Sequence, residues 1–254
     1  MLFRSDHSDS LGATARFGQG DAQWMTAGRG IVHAEMFPLR EEDAPNTAEL
    51  FQLWLNLPKK HKMVEPHFTM FWHETIPEHT FKDANGNTTK VTTVAGALEG
   101  KEPPSPPPHS WAAEPKNSVA IWTIELEPNA QWIVPAAAPG VNRNLYFYEG
   151  QSLTVADTAL TAHSRLIVEP DHPAPLQAGA DGAKLLLLQG QPIGEPVAQH
   201  GPFVMNNRME LQQAYRDYQR TGFGGWPWKR NDPVHARQDG RFAIHADGRK
   251  DVPA

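Results

Sequence analysis

A chain of 254 residues, 39% hydrophobic and 20% charged, is long and apolar enough to bury one or two cores and is not a disordered polymer. Its 23 basic and 29 acidic side chains leave a net charge of −6, which argues against direct binding to nucleic-acid phosphates. With no cysteine, disulfides and thiolate ligands are excluded, so a bound metal must rest on nitrogen and oxygen.

The opening decapeptide, MLFRSDHSDS, carries an apolar run of three residues, far short of a signal-peptide core. No stretch approaches the ~20 apolar residues of a membrane span. The expected location is cytoplasmic, with no membrane partner.

Residues 20–35, GDAQWMTAGRGIVHAE, come next and are the most informative in the chain. His33 and Glu35 stand two positions apart in an extended stretch. On a strand, residues i and i+2 share a face. An imidazole beside a carboxylate is half of a site for iron, manganese or zinc. No His-x-His pair occurs anywhere in the chain. Gly28-Arg29-Gly30 lacks the lysine and the strand–helix context of a phosphate loop, and reads as a tight turn entering the strand that carries His33. Gln23, Trp24 and Met25 are candidates to line a pocket, with Trp24 assigned to the core.

Residues 50–57, LFQLWLNL, are predicted to form a strand, as are 91–97 and 118–127. In the last of these, Ala120, Trp122, Ile124 and Leu126 share one face, with Glu125 and Glu127 on the other. Further short strands are expected at 145–148, 153–155, 165–168 and 184–188. Turn signals separate them at 83–87, Pro139-Gly140, Glu149-Gly150 and Asp181-Gly182. Many short strands joined by turns predict a sandwich or barrel. Residues 101–115 hold six prolines and read as a linker or long surface loop between two β units.

Leu211, Ala214, Tyr215 and Tyr218 follow helical spacing, with Asn207 as N-cap, Glu210 three residues on and Gly222 as the stop. A helix is predicted over 207–221. The polar tail from Trp226 onward is expected to dock through Trp226 and Trp228 and to leave its last ten residues mobile.

His61, His67, His73 and His79 recur every six residues, but Pro66 and Pro77 interrupt any common strand, so they are read as surface residues. His109, His163, His172, His235 and His245 lie in polar or Pro-rich contexts and are read as solvated. His200 is assigned a structural role at the start of the helix. No nucleophile elbow or thiol nucleophile is present.

The runs GDAQWMTAGRGIVHAEM (20–36), FQLWLNLPKKHKMVEP (51–66) and QHGPFVMNNRMELQQAYRDYQ (199–219) resemble the pirin family of the cupin superfamily. DHSDSLG (6–12) looks like the family's turn before the first motif. GFGGWPWKRNDPVHARQDGRF (222–242) is similar to the tail of longer bacterial pirins. The resemblance implies an all-β fold of two cupin-type, double-stranded β-helix barrels with a C-terminal helix, the first barrel lacking its opening strands. The implied division is an incomplete N-terminal domain at 1–100, a Pro-rich linker at 101–117, a C-terminal domain at 118–200, and a helix and polar tail at 201–254.

The resemblance further implies one metal in the N-terminal barrel, usually iron, held by three His and one Glu. His33 and Glu35 carry over. The other two ligands belong to an upstream His-x-His pair that this chain does not contain. With two ligands, the expected metal, iron or another divalent ion, is weak or absent, and none is expected in the second barrel. The implied chemistry is that of a quercetin 2,3-dioxygenase acting on a flavonoid-like molecule, with Glu35 as a ligand that also takes a substrate proton, and the loss of two ligands is expected to impair it and leave quercetin consumption negligible. The alternative is a regulatory module that binds a protein partner. The missing pair predicts that the coding region extends upstream of Met1. Failing that, a barrel short of strands is expected to aggregate or to borrow strands from a second copy.

Overall fold

The computed structural model describes residues 4–161 and 163–254; the apolar run at the start lies outside them. Its first strands are β1 (Arg4–Asp9), β2 (Thr14–Gly18), β3 (Ala22–Thr26), β4 (His33–Met36), β5 (His67–Phe71), β6 (Glu78–Lys82) and β7 (Thr88–Ala95). Then come β8 (Ala120–Leu126), β9 (Gln131–Val134), β10 (Asn142–Glu149), β11 (Leu153–Val155), β12 (Thr158–Leu160), β13 (Ser164–Ile167), β14 (Ala174–Ala178) and β15 (Ala183–Gly190). The chain closes with β16 (Ala198–His200), β17 (Phe203–Met205), α1 (Arg208–Thr221), β18 (Phe242–Ile244) and β19 (Lys250–Asp251). The fold is all-β with one C-terminal helix, as expected. Among the described residues no helix is long and apolar enough to cross a membrane.

Two compact units share the chain. One comprises Met1–Thr75, Pro107–Trp111 and Ile193–Ala254; the other comprises Ile76–Pro106 and Ala112–Pro192. This division differs from the one expected. β6 pairs with β7 and β7 with β8, so residues 76–106 belong to the second sheet system. The helix and tail belong to the first unit and form no separate region.

In the second unit, a sheet ordered β13-β10-β15-β8-β7-β6 faces one ordered β12-β11-β14-β9. Strict alternation builds its core: Ala120, Trp122, Ile124 and Leu126 are buried and pack with Leu145, Phe147, Leu176, Leu185 and Leu187. Burying such faces is worth roughly 25 cal/mol per Å². His79, expected at the surface, is buried in β6, because pairing with β7 sets it opposite the fully buried Val91 on the inner face.

The first unit is built on a sheet ordered β19-β18-β2-β1-β4, with a separate β3-β5 pair and a β16-β17 hairpin. Its core is small: Ala13, Ala15, Phe17, Phe68, Met70, Trp72 and Ala243. Three expectations change here. Residues 6–9, expected in a turn, lie in strand β1, and the turn follows it. Residues 50–57 join no sheet among the described residues and expose Leu50, Leu53, Trp54 and Leu55. The last ten residues, expected to be mobile, contribute β19, which pairs with β18, and β18 in turn pairs with β2. With it His235, expected to be solvated, becomes part-buried: its Nε2 lies 3.0 Å from Thr14 Oγ1.

The tail is ordered because it matches a polar strand face. Asp6, Ser8, Thr14 and Arg16 share the outer face of β1 and β2, and all four are buried. Arg16 donates to both oxygens of Asp6 at 2.7 Å and to the carbonyls of His235, Ala236 and Asp239. The His235 amide donates to Asp6 Oδ2 at 2.8 Å. Trp228 Nε1 donates to the Asp9 carbonyl at 2.8 Å, which docks the tail as the sequence suggested.

α1 starts where its cap requires. The Asn207 side chain accepts from the Glu210 amide at 2.9 Å, Glu210 Oε2 accepts from the Asn206 amide, and Gly222 ends the helix at φ +55°. Asn207→Ala removes that acceptor. It is expected to cost about 1 kcal/mol, measurable as a lower denaturant midpoint at unchanged m-value.

Candidate metal centre

Alternation along two paired strands assembles the site. On β1, Ser5, His7 and Asp9 point inward, opposite the face that holds Asp6 and Ser8. β4 pairs antiparallel with β1 and sets Glu35 opposite His7 and His33 opposite Asp9. Directly paired residues share a face, so two imidazoles and two carboxylates converge. Ligand atoms of His7, His33 and Glu35 all lie within 4.8 Å of one another. His33 and Glu35 therefore sit together as the sequence predicted, and His7 joins them. The signal for His7 was the same i, i+2 spacing, here in His7-Ser8-Asp9, within a run read as a turn.

The polar contacts are specific. His7 Nδ1 lies 2.7 Å from Glu35 Oε1, and its Nε2 lies 3.2 Å from Asp9 Oδ2. Asp9 is itself fixed: its Oδ1 accepts from the amides of Leu11 and Ala13. Ser5 Oγ donates to Glu35 Oε2 at 2.9 Å. Gln23 on β3 reaches His7 Nδ1 at 3.1 Å, so of the 23–25 triplet it is Gln23 that meets the site. One ring nitrogen cannot donate to Glu35 and accept from Gln23 at once. Protonated, Nδ1 serves Glu35; without its proton it accepts from Gln23. Phe68 stacks on the His7 ring at 4.9 Å and 5°, and His33 Nδ1 stands 3.5 Å from Glu35 Oε1.

Burial grades across the site. The His7 side chain is wholly buried, Glu35 is 21% exposed and His33 34%. His7 is the floor and His33 the rim, so a molecule in solvent meets His33 and Glu35 first. Surface hollows of 270 and 430 Å³ are lined by other residues. A second donor group, Glu169, Asp171 and His172, is exposed at all three members and has no built surroundings.

Protonation follows from these contacts. Burial disfavours a charged His7, but its hydrogen bonds to Asp9 and Glu35 outweigh this and raise its pKa above 6.5. Burial likewise pushes Glu35 up. Hydrogen bonds from His33, His7 and Ser5, with the His7 charge, overcome it and hold Glu35 at about 2. In the metal-free protein, the stability from His7 is full below pH 6.5 and is lost as pH rises through the raised value. The stability from Glu35 is full above pH 4.5 and is lost as pH falls toward about 2. The metal-free melting temperature is therefore expected to peak between these limits. In His7→Gln the decline on the alkaline side should shrink.

The loop between β3 and β4 sets the position of His33. A Cβ on Gly28 would meet the Val64 carbonyl oxygen at 2.2 Å, and one on Gly30 would meet the Phe223 ring at 2.4 Å. Both glycines have positive φ, which supports the reading as a tight turn rather than a phosphate loop. Ser10 then clasps the approach to β4: its amide donates to the Val32 carbonyl, and its Oγ accepts from the Val32 amide.

An all-β chain of two units, with an inward-facing His/Glu cluster in one of them, is the class of the double-barrelled cupins. The sequence matches the family description Pirin over residues 4–55 and Pirin C-terminal cupin domain over residues 121–224. A pirin-like protein of Solanum lycopersicum is 35% identical over 222 residues, covering 85% of this chain and 70% of the relative. A Pseudomonas aeruginosa protein provisionally named a quercetin 2,3-dioxygenase is 35% identical over 228 residues, covering 85% of this chain and 72% of its own. A crystal structure of quercetin 2,3-dioxygenase from Acinetobacter baumannii superposes with a TM-score of 0.70 at 25% identity, covering 87% of this chain and 73% of that one. The chain belongs to the pirin family.

Proposed function

We propose that the first unit holds one divalent metal on His7, His33 and Glu35, and that the protein is an oxidoreductase of the quercetin 2,3-dioxygenase type acting on a flavonoid-like molecule. The observation that carries this is the donor set. Two imidazole nitrogens and one carboxylate is the combination that suits iron(II) in non-haem oxygenases and leaves positions open for substrate. Neighbouring ligands on one ion, each bonded at about 2.1 Å, stand about 3.0–3.4 Å apart. The distances of 2.7 and 3.5 Å from Glu35 Oε1 to His7 and His33 bracket that span. The expectation of a weak or absent metal rested on two ligands, and the third removes its ground. Iron is our assignment among metals that accept these donors. The names of the relatives support the substrate class.

A bound divalent ion would supply Lewis acidity and a template for an oxygen-rich substrate. The chain's own residues do the rest. Asp9 accepts from His7 Nε2–H, which fixes the ring with Nδ1 aimed at the centre, the carboxylate–histidine arrangement that strengthens a ligand. Phe68 covers the ring and keeps water from it. In the metal-free protein Glu35 is already ionised, so no proton has to leave it before a metal binds. We assign its Oε2, held by Ser5, to accept the proton of a substrate hydroxyl.

Oxygen uptake with quercetin tests this reading. Iron-loaded protein should consume oxygen in a chelator-sensitive manner, with kcat in Glu35→Ala lower by roughly 100-fold or more. Protein that retains one metal per chain yet leaves quercetin untouched would overturn the quercetinase assignment.

A further inference from the structure

The second unit encloses a positive charge that its own side chains do not neutralise. β10 alternates, and its inward positions are Arg143, Leu145 and Phe147, all buried. β15 pairs with β10 and sets Gln189 opposite Arg143, so the two share that inward face. Val168, whose amide donates to the Arg143 carbonyl, packs in the same apolar core as Leu145 and Phe147. Arg143 and Arg16 are the two deepest arginines among the described residues, each 2% exposed.

The two differ in what faces them. Arg16 meets backbone carbonyls and both oxygens of Asp6. Arg143 meets only neutral acceptors: its Nε donates to Gln189 Oε1 at 2.8 Å and its Nη1 to the Pro135 carbonyl at 2.7 Å. Gln189 is itself held, its Nε2 donating to the Ser118 carbonyl at 2.9 Å. No carboxylate acts on Arg143 among the described residues, and burial alone moves its pKa, downward. Carbonyl dipoles solvate a guanidinium but leave its charge in place, and a buried charge without a counter-ion is unfavourable. The N–H groups of Nη2, and the second N–H of Nη1, have no acceptor among the described residues. The side-chain nitrogens there that are both sealed from solvent and unpaired belong to Trp72, His79 and His245. Nη2 of Arg143 is unpaired but not sealed, so it opens to solvent.

We propose that Arg143 anchors a binding site for a small monocarboxylate in the second unit, with the carboxylate oxygens accepting from the open N–H groups of Nη1 and Nη2. Charge selects the class. One carboxylate cancels one guanidinium, whereas a dianion such as sulfate leaves a net negative charge beside an apolar core. Geometry selects it as well, because a planar carboxylate matches the parallel N–H bonds of the guanidinium fork, and a spherical halide does not offer two separate acceptors. The site is independent of the metal centre and of the quercetinase reading. Acetate is the simplest probe, and so small a ligand is expected to bind at about 1–10 mM.

Acetate, sulfate and chloride, each titrated into the full chain at constant ionic strength, test this through the nuclear magnetic resonance signal of the Arg143 Nε–H group. Acetate should shift the signal saturably, and sulfate and chloride should bind at least about tenfold more weakly. Acetate should also raise the melting temperature of the parent, since it binds only the folded site. Arg143→Met removes the fork, and Gln189→Glu sets a permanent carboxylate beside Nε. Both variants should lose that acetate-dependent rise, and unchanged circular dichroism confirms that each is folded. If one variant fails to fold, the other decides. A signal unmoved by about 100 mM acetate, tighter binding of sulfate or chloride, or an acetate response that survives in either folded variant overturns the proposal.

Discussion

Asp6→Ala is expected to destabilise the first unit by about 3–5 kcal/mol, the cost of stranding a buried charge. Asp6 and Arg16 are fully or almost fully buried and joined by two 2.7 Å hydrogen bonds, and Asp6 also receives the His235 amide. Alanine at position 6 leaves the Arg16 guanidinium with backbone carbonyls from the tail and no counter-charge. Against a whole-domain stability of about 5–15 kcal/mol, that loss is large. It should appear as a much lower denaturant midpoint and as faster proteolysis of residues 226–254, since the tail loses an anchor. Replacing both partners by apolar residues, Asp6→Leu with Arg16→Met, should recover part of the loss, because no isolated charge remains. Equal stability of Asp6→Ala and the parent would show that the tail does not depend on this pair.

The second large effect concerns metal affinity. His7→Ala removes one of the three proposed ligands and leaves Asp9 and Glu35 facing each other across the vacated ring space. A drop of more than about 100-fold in iron(II) affinity is expected, since loss of an orienting partner alone costs about 10–100-fold. Asp9→Asn should fall in that smaller range, because it keeps the ring but weakens its hold on His7 Nε2. Anaerobic calorimetric titration of the two variants beside the parent gives the order directly. Asp9→Asn binding more weakly than His7→Ala would reverse the roles assigned to ligand and positioning residue.

The second unit was legible in the sequence because its strands alternate. Ala120, Trp122, Ile124 and Leu126 announce one buried face, and the turn signals between strands are strong. α1 was legible to within a residue for the same reason: cap, periodicity and glycine stop agree. The first unit was harder to read. β1 reads Arg-Ser-Asp-His-Ser-Asp, with no apolar residue to mark an inward face, because that face is the site and the opposite face is the seat of the tail. A polar strand covered by a polar tail gives no hydrophobic period, so residues 6–12 read as a turn and the tail as a polar extension docked only at its start. Residues 50–57 misled in the opposite direction. Their composition favours a strand, but a strand is defined by its ladder, and among the described residues this segment joins no sheet. The pair His33 and Glu35 was visible from spacing alone. His7 carried the same spacing to Asp9, but its place beside Glu35 depends on the β1–β4 register, which no local pattern encodes.

The three-ligand centre is tested most directly by elemental analysis of the parent and His7→Ala, both loaded anaerobically with iron(II) and desalted together. One iron per chain in the parent, and less than roughly a tenth of that in the variant, is the expected result. Equal iron in both proteins, or none in the parent, would contradict a centre built on His7, His33 and Glu35.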